Sequence, residues 1–193
     1  MLENDHIRRL LTAISLNGDQ TAYRELFLLV HPRLQQFAYS ILKSKEESEE
    51  LVSDLFIKIW QKKDQLSAIT QPLLYFYTSV KNLALNRLVK LKSQQNITAE
   101  NWLVQLESIY FDPEKLMMTE EMIRQIRTAV NTLPPRCKLI FKLVKEDGLK
   151  YREVAELLNL SARTIEAQMA IALRRLGRCM HIDLKTGVKS TLA

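Results

Sequence analysis

Glycine and proline are scarce, with 4 and 5 copies in 193 residues. Breakers this rare, among abundant Leu, Ile, Lys, Arg, Glu and Gln, exclude a turn-rich β-protein and favour long helices joined by short turns. Cysteine is scarcer: Cys137 and Cys179 are the only two. Without a CxxC spacing they exclude a disulfide framework, and reduced cytosolic thiols are expected. Long apolar runs are missing too. No stretch approaches ~18 uninterrupted apolar residues, so no membrane span is expected. The N-terminal MLENDHIRRLL carries charges where a secretory signal needs an apolar run. Catalytic signatures are equally thin. His6, His31 and His181 are scattered, none with a metal-ligand spacing, and there is no GxSxG, GxGxxG or P-loop. No catalysis, cofactor, metal or small-molecule substrate is expected.

What is present is an ordinary globular balance, 47% apolar and 26% charged, with a basic surplus of +6 that suits a polyanionic partner. The surplus is uneven. Residues 1–93 carry 13 Lys+Arg against 10 Asp+Glu, residues 94–118 carry 1 against 4, and residues 119–193 carry 14 against 8. Two basic ends flank an acidic middle. The expected fold is all-α: two small helical domains at 1–93 and 119–181, joined by a flexible linker at 94–118 and followed by a frayed tail at 182–193.

Periodicity places the helices. Leu2–Ser15 carries Ile7, Leu10, Leu11 and Ile14 on one face, and Asn17-Gly18-Asp19 ends it. Ala22–Lys43 follows, with Pro32 placed to kink or split it. Ser44-Lys45-Glu46-Glu47 has the form of a capping box opening a helix through about Lys62. Pro72 starts another, to about Lys92. Some order is expected from Trp102 to Ile109. Helices resume near Thr119, with breaks at Thr132–Pro135 and at Asp147-Gly148.

The sharpest local signal is YREVAELLNLSARTIEAQMAIALRRL, from Tyr151 to Leu176. Two helices crossing near a right angle need a small residue at the crossing, and Ala155 fits. The bend needs left-handed backbone, which Asn159 tolerates. Ser161 sits where a hydroxyl would cap the second helix. Ile165, Met169, Ala172, Leu173 and Leu176 form its buried stripe. Arg163, Thr164, Glu166, Ala167, Gln168, Ile171, Arg174 and Arg175 lie on the opposite face. This is the pattern of a helix-turn-helix with its recognition helix in the major groove. Gln and Glu can read base edges there, whereas Arg holds phosphates.

A second constellation is negative in kind. From Gln65 to Ala99 there is no Asp or Glu, while Lys81, Arg87, Lys90 and Lys92 accompany Tyr75, Phe76, Tyr77, Asn82 and Asn86. Positive charge with planar groups suits single-stranded DNA. The aromatics are equally suited to a core, and that reading is preferred for them. The third constellation is the acidic start of the helix after Ser44: Glu46, Glu47, Glu49, Glu50 and Asp54. It complements the helix dipole or offers a docking face to a basic protein.

In this order, the three constellations resemble the extracytoplasmic-function sigma factors of the sigma-70 family. ESEELVSDLFIKIW (47–60) looks like the family's core-polymerase-binding helix, LYFYTSVKNLALNRL (74–88) like its promoter-melting helix, and residues 133–176 like its C-terminal DNA-binding domain. The resemblance implies a factor that binds core RNA polymerase, melts the minus-ten element and reads the minus-thirty-five element as duplex. It assigns Glu49, Glu50, Asp54 and Lys58 to polymerase. Lys81, Asn82, Asn86, Arg87 and Lys90 fall to minus-ten DNA, with Asn82 where the family captures a flipped base. Ser161, Arg163, Thr164, Glu166, Ala167, Gln168, Arg174 and Arg175 fall to minus-thirty-five DNA. Glu166 and Gln168 depart from the more basic family habit. The resemblance also implies an anti-sigma partner and a cytoplasmic location, or retention at the inner membrane by that partner. A competing reading, an ordinary helix-turn-helix regulator, would need an upstream receiver or ligand domain, of which residues 1–93 give no sign.

Overall fold

The computed structural model describes residues 2–91, 120–179, 182–183 and 188–189. Chain contacts divide the protein into two units, Met1–Glu107 and Ser108–Ala193. The expected linker at 94–118, the expected order at Trp102–Ile109 and Lys92 lie outside the described residues.

The N-terminal unit consists of α1 (Leu2–Asn17), α2 (Gln20–Leu42), α3 (Lys45–Gln61), a 3₁₀ turn (Lys63–Ala68) and α4 (Pro72–Leu91). Asp19 caps α2 by accepting from the N–H groups of Thr21 and Ala22, at 2.8 and 3.0 Å. Pro32 does not split α2, which runs through it as one helix. Its missing N–H costs one bond, while Leu26, Val30, Leu34, Phe37 and Ile41 bury a continuous stripe along the same helix. At its end Lys43 takes left-handed backbone, φ 60°.

Ser44 caps α3, accepting from Glu47 N–H at 3.2 Å. The expected capping box is half-formed. Its other arm needs the Glu47 carboxylate to turn back on Ser44, and that carboxylate pairs with Arg87 of α4 instead. The Ser44 hydroxyl donates to Glu46 at 3.0 Å. That bond and the Glu46 backbone N–H, the larger effect, hold the Glu46 carboxyl below its usual range.

An aromatic cluster closes the core of this unit. Phe56 lies 4.9 Å from Phe27, 5.9 Å from His31, 6.2 Å from Tyr23 and 6.2 Å from Phe76, between ring centres. The Tyr23 hydroxyl donates to the Phe56 carbonyl at 2.9 Å, tying α2 to α3. Burial depresses the His31 pKa, with the Glu49 carboxylate opposing it. The 3₁₀ turn packs on α1, and α1 holds the stretch leading to α4. Arg8 donates to the Thr70 carbonyl at 2.8 Å and Ser15 to the Asp64 carbonyl at 3.2 Å.

The C-terminal unit consists of α5 (Glu120–Asn131), α6 (Pro135–Lys145), α7 (Tyr151–Leu158) and α8 (Ala162–Cys179). Its core joins Ile126, Ala129, Val130, Leu139, Ile140, Leu143, Val154, Leu157, Ile165 and Met169. Ile182–Asp183 then pairs antiparallel with Val188–Lys189. The sequence pattern misses a buried charge cluster between α6 and α7. The Lys142 ammonium reaches Asp147 at 2.9 and 3.0 Å and Glu146 at 3.3 Å. Gly148, at φ 76°, turns the chain so that Leu149 N–H reaches the Leu143 carbonyl at 3.0 Å.

Candidate nucleic-acid interface

The α7–α8 corner is built from its residues as local chemistry requires. Ala155 is buried at the crossing. Asn159 takes left-handed backbone, φ 53° and ψ 50°. That geometry lets Leu160 N–H reach back to the Ala155 carbonyl at 2.8 Å and Asn159 N–H to Glu156 at 3.2 Å, closing the helix end. Ser161 Oγ then accepts from Thr164 N–H at 3.0 Å and shares a hydrogen bond with the Thr164 hydroxyl at 2.8 Å. Glu153 caps the start of α7, accepting from Lys150 N–H at 2.7 Å.

On α8, Ile165, Met169, Ala172 and Leu176 are buried; Leu173 is half-buried. Ser161, Arg163, Glu166, Ala167 and Arg174 are exposed; Thr164 and Gln168 are half-buried. This face therefore offers an acceptor, a half-buried amide and one guanidinium in the N-terminal half of the helix, with Arg174 in its C-terminal half. Arg175 is engaged, donating to the Thr132 carbonyl at 2.7 Å and bracing α8 against the turn after α5. Behind the helix, the Cys137 thiol donates to the Gln168 carbonyl at 3.3 Å. Burial pushes this thiol up in pKa, opposed by the Arg175 charge.

In the N-terminal unit the candidate residues converge across two helices. Glu49, Glu50, Asp54 and Lys58 are exposed along α3, with Ile57 exposed beside them. On α4, Asn82, Asn86 and Lys90 are exposed, and Lys81 and Arg87 are half-buried. A groove of about 420 Å³ between α3 and α4 is lined by Leu51, Asp54, Lys58, Leu83, Asn86, Arg87 and Lys90. Residues assigned separately to polymerase and to DNA thus share one groove. Sequence spacing cannot place them together, because they come from different helices. The aromatics divide: Phe76 and Tyr77 are fully buried, and Tyr75 is 40% exposed. The core reading holds for two and leaves one ring at the surface.

Sequence reasoning missed Arg87's partners. Its guanidinium pairs with Glu47 and, at 2.6 Å, with Glu50. It also missed exposed Leu28 and Tyr39 on α2. Among the described residues no group of His, Cys, Asp and Glu could hold a metal ion, and no helix is long and apolar enough to cross a membrane.

Comparison with known proteins places both units. The family model for sigma-70 region 2 matches residues 26–94, and that for sigma-70 region 4 matches residues 123–176. SigW of Bacillus subtilis, an ECF RNA polymerase sigma factor, is 23% identical over 159 residues, covering 79% of this chain and 85% of SigW. The ECF sigma-E factor of Escherichia coli is 24% identical over 160 residues, covering 79% and 83%. SigK of Mycobacterium bovis is 23% identical over 171 residues, covering 86% and 89%. A solved sigma factor, RpoE of Bartonella quintana in complex with the anti-sigma factor NepR, aligns with a TM-score of 0.49 and 21% identity, over 83% of this chain and 98% of that one. The two matched regions, in this order on one chain, carry the assignment: the protein belongs to the sigma-70 family, and the relatives it is similar to are extracytoplasmic-function factors.

Proposed function

We propose that this chain directs promoter-specific transcription initiation by binding core RNA polymerase through α3, opening the minus-ten element along α4 and reading the minus-thirty-five duplex with α8. The observation that carries this reading is the α7–α8 corner, capped and turned as a helix-turn-helix, on the same chain as a region-2 unit. Exposed Glu166 and Ala167 and half-buried Gln168 suit base readout; Ser161, Arg163, Thr164, Arg174 and Arg175 suit phosphate and backbone positioning. Glu49, Glu50, Asp54 and Lys58 form the polymerase-facing row. Lys81, Asn82, Asn86 and Lys90 serve the melted strand, with Asn82 receiving an unstacked base. The chain works as a DNA-binding subunit, and the chemistry of RNA synthesis belongs to the polymerase. An anti-sigma protein is the expected regulator, and the cytoplasm the expected location.

The test is binding of core polymerase in the absence of DNA. A stable complex that weakens on charge reversal at Glu49 and Asp54 supports the reading. No complex, together with tight operator binding by the protein alone, overturns it in favour of an ordinary helix-turn-helix regulator. Asn82→Ala should slow promoter opening more than it weakens polymerase binding, measured by permanganate footprinting beside a binding titration. Gln168→Ala should alter minus-thirty-five preference in a randomised-site selection, and an unaltered preference removes Gln168 from the readout face.

A further inference from the structure

Arg87 sits in the acid-free stretch, where sequence assigns it to DNA, yet two carboxylates of the neighbouring helix hold it. Glu47 pairs with its Nε and Glu50 with its Nη2 at 2.6 Å. Arg87 is 26% exposed and Glu50 is 60% exposed. The side of the clasp open to solvent is therefore a residue of the acidic row on α3, while the guanidinium lies deeper, in the groove beside Asn86 and Lys90. A guanidinium shared by two carboxylates contributes no net positive charge to the α4 face. The Nε–Nη2 edge of its fork faces the two carboxylates, so that edge cannot grip a phosphate without leaving them.

We propose that Glu47 and Glu50 form an autoinhibitory clasp on Arg87, which a cationic side chain of the partner docked on α3 opens by taking Glu50. The proposal rests on the assignment of α3 to polymerase and α4 to the DNA strand. Arg87 is withheld from DNA in the free protein and becomes a phosphate contact once Glu50 has another cation to pair with. Docking on one helix thereby strengthens DNA binding on the next, and linkage requires the converse as well.

The test uses the full chain and a fluorescein-labelled oligodeoxythymidine strand, read by anisotropy across a salt series. Glu50→Gln, and Glu47→Gln with Glu50→Gln, should tighten binding. One added phosphate contact steepens the log–log salt slope by about 0.7, which is about fivefold in affinity near 0.1 M salt. In an Arg87→Ala background the same carboxylate changes should gain much less. An equal gain in both backgrounds means that only general repulsion was relieved, and overturns the clasp; so does no gain in either. Glu50→Gln alone changes an exposed side chain and keeps the test available if the double variant folds poorly. In a second measurement, core-polymerase affinity is taken with and without the strand. Coupling should be smaller in Arg87→Ala than in the parent protein, and equal coupling overturns the release step. Failure of Lys90→Ala and Lys81→Ala to weaken strand binding, or of the parent protein to bind polymerase, would instead count against the functional reading itself.

Discussion

Each unit ties an arginine to a neighbouring element, with different electrostatic results. Arg175 of α8 donates to a neutral carbonyl, that of Thr132, and keeps its full charge at the surface. Arg87 of α4 meets two carboxylates and is neutralised. Both lie in basic stretches and look alike in sequence. The comparison teaches that the charge an arginine offers to DNA depends on the partner it already has. On the proposed reading, bracing and phosphate binding are compatible in the C-terminal unit. On the same reading they compete in the N-terminal unit.

The largest effects should come from the cores, and they test whether the two units are separate. Phe56→Ala removes the centre of the aromatic cluster and should cost about 3–5 kcal/mol; Ile165→Ala should cost about 2–5 kcal/mol. Hydrogen exchange should accelerate in residues 2–91 for the first and in 120–179 for the second. Acceleration in both units from either change would break the comparison. Next comes the buried cluster of the C-terminal unit. Asp147→Ala strands the Lys142 ammonium and should destabilise by about 3–5 kcal/mol, measured by urea unfolding. A loss no larger than that of a surface ion pair would show that Glu146 and water suffice.

Smaller effects sharpen the corner. Asn159→Ala places a less tolerant residue at φ 53° and should cost about 1 kcal/mol, which Asn159→Gly should not. Ser161→Ala should cost about 1 kcal/mol through the lost cap. Equal thermal midpoints for the alanine and glycine variants at Asn159 would refute the left-handed turn. The smallest effect concerns His31. Burial holds its pKa below the ordinary value, so the folded state favours neutral imidazole. That contribution is complete above the unfolded pKa of about 6.5 and is lost as pH falls through it toward the lower folded value. His31→Leu should flatten the stability profile between about pH 7 and pH 5, and an unchanged slope there would place the depression elsewhere.

How much was legible in the sequence follows the same division. The helix-turn-helix is one continuous stretch whose turn, cap and stripe are nearest-neighbour chemistry. Ala155, Asn159, Ser161 and Ile165 announce it directly, and the structure places each in that role. In the N-terminal unit the helices were legible from periodicity, but the site lies between helices. The Arg87 clasp joins residues 37 apart in sequence on the Glu50 side, and periodicity carries no information about such a pairing. The half-formed box at Ser44 has the same cause, because a long-range ion pair claims the carboxylate that local capping needs. The 3₁₀ turn at Lys63–Ala68 was missed because its one buried residue, Leu66, gives no period to read. The Lys142–Asp147 pair was not legible, because Asp147 reaches Lys142 through the non-helical end of α6, where its N–H bonds the Lys142 carbonyl.

The most direct test of the account is run-off transcription with core polymerase on a library of genomic fragments, in the presence and absence of this protein. Discrete transcripts that appear only when it is added, and that disappear when Asn82 and Gln168 are both replaced by Ala, are the predicted result. Core polymerase producing the same transcripts with and without the protein would contradict the account.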